Sequence, residues 1–123
     1  TDAHNSSQHM LDLYQGGISL PDEAYYREEQ HREVLEAWEA YVAKLFTLVG
    51  TSEEDAMSHA RAVREFETQV ASFHRDAVSN RDPLLADHPM TWNELREKYP
   101  LFPWDLWAKA AKLHLEKIET LNV

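Results

Sequence analysis

Among the 123 residues, the seven histidines are the side chains best suited to hold a metal or to move a proton near neutral pH. Hydrolytic zinc helices place two imidazoles one turn apart with a glutamate between them, as H-E-x-x-H. That motif is absent here, and no two histidines lie three or four positions apart. Glu28-Glu29-Gln30-His31 contains one E-x-x-H, the spacing used in carboxylate-bridged di-iron bundles. Such a site needs a second E-x-x-H and two more glutamates on separate helices, so this one reads as part of a solvated, glutamate-rich helix face. A metal-binding helical bundle is accordingly the weakest of three functional readings. With no cysteine, thiolate zinc sites, cysteine nucleophiles and disulfide scaffolds are excluded.

Nucleophilic chemistry has no stronger basis. Ser19 follows a glycine pair but is not in G-x-S-x-G. Gly16-Gly17 lacks the companions of a phosphate-binding loop. Paired carboxylates are too plentiful to be diagnostic, and a charged helix face accounts for them. Arg81-Asp82, followed by Pro83, is a candidate for fixing its loop by bidentate contacts, or simply an exposed Asp-Pro turn. Trp92, Trp104 and Trp107 read as packing residues, not as a ligand stack. No catalytic, cofactor-binding or metal-ligating residue is therefore assigned in this segment.

Charge narrows the partners. Twelve Lys and Arg stand against 22 Asp and Glu, a net charge of -10, and phosphate backbones or anionic membrane surfaces call for a basic face. No nucleic acid and no membrane contact are expected. No apolar run approaches the ~20 residues that span a bilayer. The chain begins at Thr1, not at methionine, which is compatible with excision from something longer. Asn5-Ser6-Ser7 has the form of a glycosylation acceptor, relevant only in a eukaryotic secretory setting.

The elements that would position these residues are mainly helical. Residues 22–49 form the expected longest helix, with Val34, Leu35, Trp38, Tyr41, Val42, Leu45, Phe46 and Val49 on one broad apolar face. Gly50 is placed to end it in a left-handed conformation. Thr51 and Ser52 cap a second helix, whose apolar line is Ala56, Ala60, Val63, Phe66, Val70 and Phe73. The short connection predicts an antiparallel hairpin over 22–49 and 52–75, with Leu45 in its core. Residues 76–90 read as loop, and Thr91-Trp92-Asn93-Glu94 as a capping box that opens a short helix ending before Pro100. A last helix begins at Leu101–Trp104 and carries Trp104, Trp107, Ala111, Leu115 and Ile118 on one face. Residues 7–15 alternate, with Leu11 and Leu13 opposite Asp12 and Tyr14, and predict one short strand. No second alternating run is visible, so its partner is expected outside this chain.

One stretch organises the rest: Gln15-Gly16-Gly17-Ile18-Ser19-Leu20-Pro21-Asp22-Glu23-Ala24-Tyr25-Tyr26. Two glycines permit a sharp reversal. Pro21 then suits a helix entrance, and Asp22 and Glu23 suit the positive end of the helix dipole.

Preceded by Asp2, Asn5 and Ser6, this stretch resembles the neprilysin family of zinc metallopeptidases. That family carries D-x-x-N-S, then Q-x-x-L-G-L-P-x-x-x-Y-Y, then a long helix. Ile18 and Ser19 stand where leucine or isoleucine and then glycine are usual, so position 19 is expected to avoid positive φ. Later features keep the family's order: Glu67 with Val70-Ala71, Arg81-Asp82-Pro83, Met90-Thr91, Glu94-Leu95, and Pro100 four residues before Trp104. Asp87-His88 replaces the family's usual tyrosine-asparagine. The family's catalytic motifs, H-E-x-x-H, E-x-x-x-D and N-A-x-Y/F, do not occur.

The resemblance implies a segment of the helical, non-catalytic lobe that in this family closes over a zinc lobe and encloses a peptide-admitting chamber. The parent would be a zinc metalloendopeptidase, with zinc bound outside this segment, the catalytic lobe of the same chain as partner and peptides as substrates. The fragment alone is expected to be inactive. The organisation expected is one segment, 1–123, made of strand and bend (1–21), helical hairpin (22–75), and loop with two helices (76–123). The fold class is mainly α, with one short N-terminal strand. A free-standing helical interaction module is the alternative.

Overall fold

The structure, a computed structural model, describes residues 2, 5–114 and 117–123. The chain divides into two compact units, residues 15–81 and residues 1–14 with 82–123.

Residues 15–81 are helical. α1 (Ala24–Arg27) is a single turn, a 3-10 turn follows at Glu29–His31, and α2 (Arg32–Leu48) and α3 (Glu53–Ala71) are the long elements. The single helix expected over 22–49 is thus three pieces, and α3, with 19 residues, is longer than α2, with 17. The break is at Glu28, whose backbone is extended (φ -89°, ψ 132°). No glycine or proline marks it. Arg27 pairs with both Glu23 (2.7 Å) and Glu28 (3.1 Å), and its bond to Glu23 holds that carboxyl below the usual carboxylate range.

α2 ends in a Schellman turn. Gly50 takes φ +97°, its N–H reaches Thr47 O, and the Thr51 N–H reaches Phe46 O. Ser52 then caps α3 by accepting from Asp55 N–H. α2 packs on α3 through buried Ala56 and Ala60, which let the backbones approach, and Arg64 bridges to Glu39 at 2.6 Å. The buried cluster is small: Tyr26, Leu35 and Ala71, ringed by Ile18, Leu20, Tyr25 and Trp38. Several residues assigned by spacing to the hairpin core are exposed instead, Leu45 by 43%, Phe66 by 65% and Phe73 by 88%. Phe73 lies beyond the end of α3, and Leu45 sits on a side of α2 that α3 does not cover.

The other unit holds a three-stranded sheet. β1 (Leu11–Asp12), β2 (Pro89–Thr91) and β3 (Thr120–Asn122) lie in the order β1-β3-β2. β1 runs parallel to β3, with Leu11 opposite Leu121, and β2 runs antiparallel to it, with Met90 opposite Leu121. Residues 7–15 therefore find their partner inside the chain, contrary to expectation. Strands of two or three residues are too short to display alternation, and β2 is hidden beside the capping signal at Thr91.

The segment 76–90, expected as loop, carries a 3-10 turn at Ser79–Arg81 and α4 (Pro83–Ala86), capped by Asp82. α5 (Trp92–Lys98) has the predicted capping box, with Thr91 and Glu94 exchanging side-chain-to-backbone bonds. Those bonds hold the Glu94 carboxyl below its ordinary range. α6 (Trp104–Ala110) is shorter than expected. Lys112 adopts φ 56°, and the Leu113 N–H closes on Ala108 O, ending the helix. Ile118 joins the core without being on α6, and Leu115 lies outside the described residues. The core comprises Trp92, Leu95, Ala108 and Leu121, with Trp104 and Trp107 packed against it, so the tryptophans are packing residues as expected.

Candidate functional site

The stretch around which the sequence is organised converges on one buried acid, Glu67 of α3. Ala56, Ala60, Glu67 and Ala71 recur at spacings of four and seven, so α3 places them on one inward line. Three of the four are alanine. The fourth carries a carboxyl into the space their small side chains leave.

Each oxygen of that carboxyl is engaged. The Ser19 N–H donates to Oε2 at 2.7 Å, and the Ser19 hydroxyl donates to Oε1 at 2.8 Å. The Tyr26 hydroxyl donates to Oε2 at 2.5 Å while accepting from the N–H groups of Ser19 (3.1 Å) and Leu20 (3.0 Å). Position 19 has no positive φ, as its lost glycine implied; Gly17 supplies the left-handed residue at φ +87°. Glutamate and tyrosine thus take the backbone donors of a turn that belongs to no helix or strand.

A second clamp lies beside it. The Gln15 side chain donates to Arg75 O at 3.1 Å and accepts from Arg75 N–H at 2.9 Å, so one amide group mimics a strand neighbour. His74 Nε2 lies 3.1 Å from Gly16 O. The sequence from Gln15 to Tyr26 is therefore tied to the end of α3 at both of its ends.

Chemically, this constellation is suited to holding, not to reacting. Burial first, and the bond to Glu67 second, push the Tyr26 hydroxyl up to about 12. It stays protonated at neutral pH, far from the range useful for proton transfer. Ser19 donates to a carboxyl, and among the described residues no histidine is bonded to it in the arrangement that activates a serine.

The residues weighed earlier for chemistry are dispersed. Glu28 pairs with Arg27 and accepts from Gln30, while His31 stacks on Tyr25 with ring centroids 4.1 Å apart. His59 packs on Phe46. Asp82 accepts from Leu84 N–H, so it is the aspartate of the Arg81-Asp82 pair that fixes the following turn. At Asp87-His88, the His88 N–H donates to Asn122 Oδ1 at 2.7 Å, and Asn122 reaches on to Ala86 O. Among the described residues, no group of three or more His, Cys, Asp or Glu is gathered as a metal would require. They do not fit a zinc site, and no metal-assisted step is assigned to them. Asp2, by contrast, is buried and accepts from Asn5 N–H and the Gln8 amide, which explains the D-x-x-N element as a folded turn.

Sequence reasoning did not foresee the Glu67 network. Its signal was present: an acidic residue on the small-residue line of α3 cannot face water.

Comparison with known proteins gives a consistent result. The family model for the N-terminal part of Peptidase family M13 matches residues 1–123. Neprilysin-3 of Drosophila melanogaster is 32% identical over 105 residues, 84% of this chain and 13% of that protein. Endothelin-converting enzyme 1 of Mus musculus is 30% identical over 105 residues, 84% of this chain and 14% of that protein. Among solved structures, the Mycobacterium tuberculosis zinc metalloprotease ZMP1 in complex with inhibitor superposes with a TM-score of 0.86 at 35% identity, over 93% of this chain and 18% of that one. A partial open state of the same metalloprotease gives 0.76 at 32% identity. The chain thus spans between 13% and 18% of the length of these relatives.

Proposed function

The chain belongs to peptidase family M13, of which it is an N-terminal region, and from that premise we propose that it forms a non-catalytic, largely helical wall of a zinc metalloendopeptidase. In this reading the whole segment, 1–123, belongs to one lobe of the parent. That lobe faces a catalytic lobe supplied by the same polypeptide, and the two enclose a chamber that admits peptides. Zinc and the groups that activate water are held outside the segment, and none of its residues is catalytic, metal-binding or cofactor-binding.

The observation that carries the reading is the closure of the Glu67 network. The motif that most resembles the family, Gln15 to Tyr26, spends its polar groups on Glu67, Arg75 and His74. A stretch held in this way supports a rigid wall. A free-standing interaction module is not favoured, because the family match runs from the first residue to the last.

The test is to express the longer reading frame and assay a peptide library with and without a chelator. Chelator-sensitive hydrolysis by the longer protein, with none by residues 1–123, is the expected result. Hydrolysis by residues 1–123 alone, or a longer protein that cleaves no peptide, contradicts the proposal.

A further inference from the structure

α2 carries a line of large apolar residues that, Trp38 apart, the described residues leave exposed. Val34, Trp38, Tyr41, Leu45 and Leu48 are spaced four, three, four and three apart, the a/d pattern by which one helix receives another. Leu45 is 43% exposed, Val34 44%, Tyr41 60% and Leu48 70%. Single exposed apolar residues are ordinary, but a continuous seam on one helix is not. The seam begins at the buried cluster, since Trp38 meets Tyr26 edge-on at 6.0 Å, so it extends an existing core outward.

We propose that this seam is the docking face for an amphipathic helix from the part of the parent polypeptide outside residues 1–123. The inference rests on the reading of the chain as one region of a larger M13 protein. Spacing argues that the occupant is a helix, because a/d residues present knobs and holes that match another helix and not a strand or a flat loop. Length argues for the same polypeptide: the matched part is only 13% to 18% of the relatives, so most of their length is left to supply it. From Val34 to Leu48 the seam runs about 21 Å, enough for about four turns of a partner.

The test uses the full-length protein with a photo-activated benzophenone side chain at position 45, followed by peptide mapping. The expected product is an intramolecular cross-link to an apolar helical segment outside residues 1–123. Cross-links confined to residues 1–123, cross-links to a second molecule, or none at all overturn the inference. Independently, Leu45→Lys lowers the Tm of the full-length protein by about 3 °C or more, while Leu45→Met leaves it nearly unchanged; equal tolerance of both also overturns it. Peptide hydrolysis by the unmodified protein is measured in parallel. A protein that forms the cross-link but cleaves no peptide retains the docking face and loses the peptidase reading, whereas cleavage without the cross-link has the opposite meaning.

Discussion

Glu67 and Ser19, 48 positions apart, meet twice: one carboxyl oxygen accepts from the Ser19 backbone N–H at 2.7 Å and the other from the Ser19 hydroxyl at 2.8 Å. A glycine at position 19, usual in the family that the sequence resembles, would keep the first bond and lose the second. The bend therefore does not depend on the left-handed freedom that glycine offers, and serine replaces it with an added anchor to α3.

Removing the acceptor leaves buried donors without partners. Glu67→Ala is expected to destabilise the chain by about 2–4 kcal/mol, since the Ser19 N–H and the Tyr26 hydroxyl both lose a buried acceptor. Glu67→Gln retains a carbonyl and is expected to cost about half as much. Urea denaturation of the two variants checks the order; equal losses would contradict the two-oxygen account.

Tyr26 makes stability fall in alkaline solution. Its hydroxyl rises from an ordinary 10.0 to about 12 in the folded state. The folded form then holds the proton more tightly than the unfolded form does. The contribution is complete below pH 10, declines between 10 and 12, and is lost above 12. Its size is on the order of 2–3 kcal/mol. Tyr26→Phe should flatten the stability curve across that window, and an unchanged slope would contradict the assignment.

Leu45 and Leu95 separate the two kinds of apolar residue in this chain. Leu95 is fully buried, so Leu95→Ala is expected to cost about 2–5 kcal/mol in residues 1–123. Leu45 is 43% exposed, and Leu45→Ala in the same chain is expected to cost less than about 1 kcal/mol. Thermal unfolding of both variants measures the difference. A larger loss at Leu45 would mean that α3 covers it after all.

What the sequence revealed and what it hid follow from the range of each signal. Caps and glycine stops act over three or four residues, and Ser52, Thr91-Glu94 and Gly50 all serve as read. The mainly helical class followed from apolar spacing that persists for several turns. The break at Glu28 went unseen because no glycine or proline marks it and the spacing of apolar residues runs on across it. The sheet went unseen because β1 and β3 are separated by more than a hundred residues and neither is long enough to alternate. The role of Glu67 lay in its position on a line of alanines, which says that it is buried without saying what it meets. Leu45 had the right spacing for a core but the wrong side of the helix, since spacing defines a face and leaves its partner unnamed.

The central claim is that this segment holds structure and performs no chemistry, and a single substitution in the full-length protein tests it most directly. Tyr26→Phe removes the hydroxyl that joins Glu67 to Ser19 and Leu20 without changing the shape of the ring. If the network is a lock, Tm falls while kcat for peptide hydrolysis, measured well below the unfolding range, stays within about threefold of the parent value. A fall in kcat of about a hundredfold at unchanged Tm would mean that Tyr26 takes part in the reaction, and it would contradict the account.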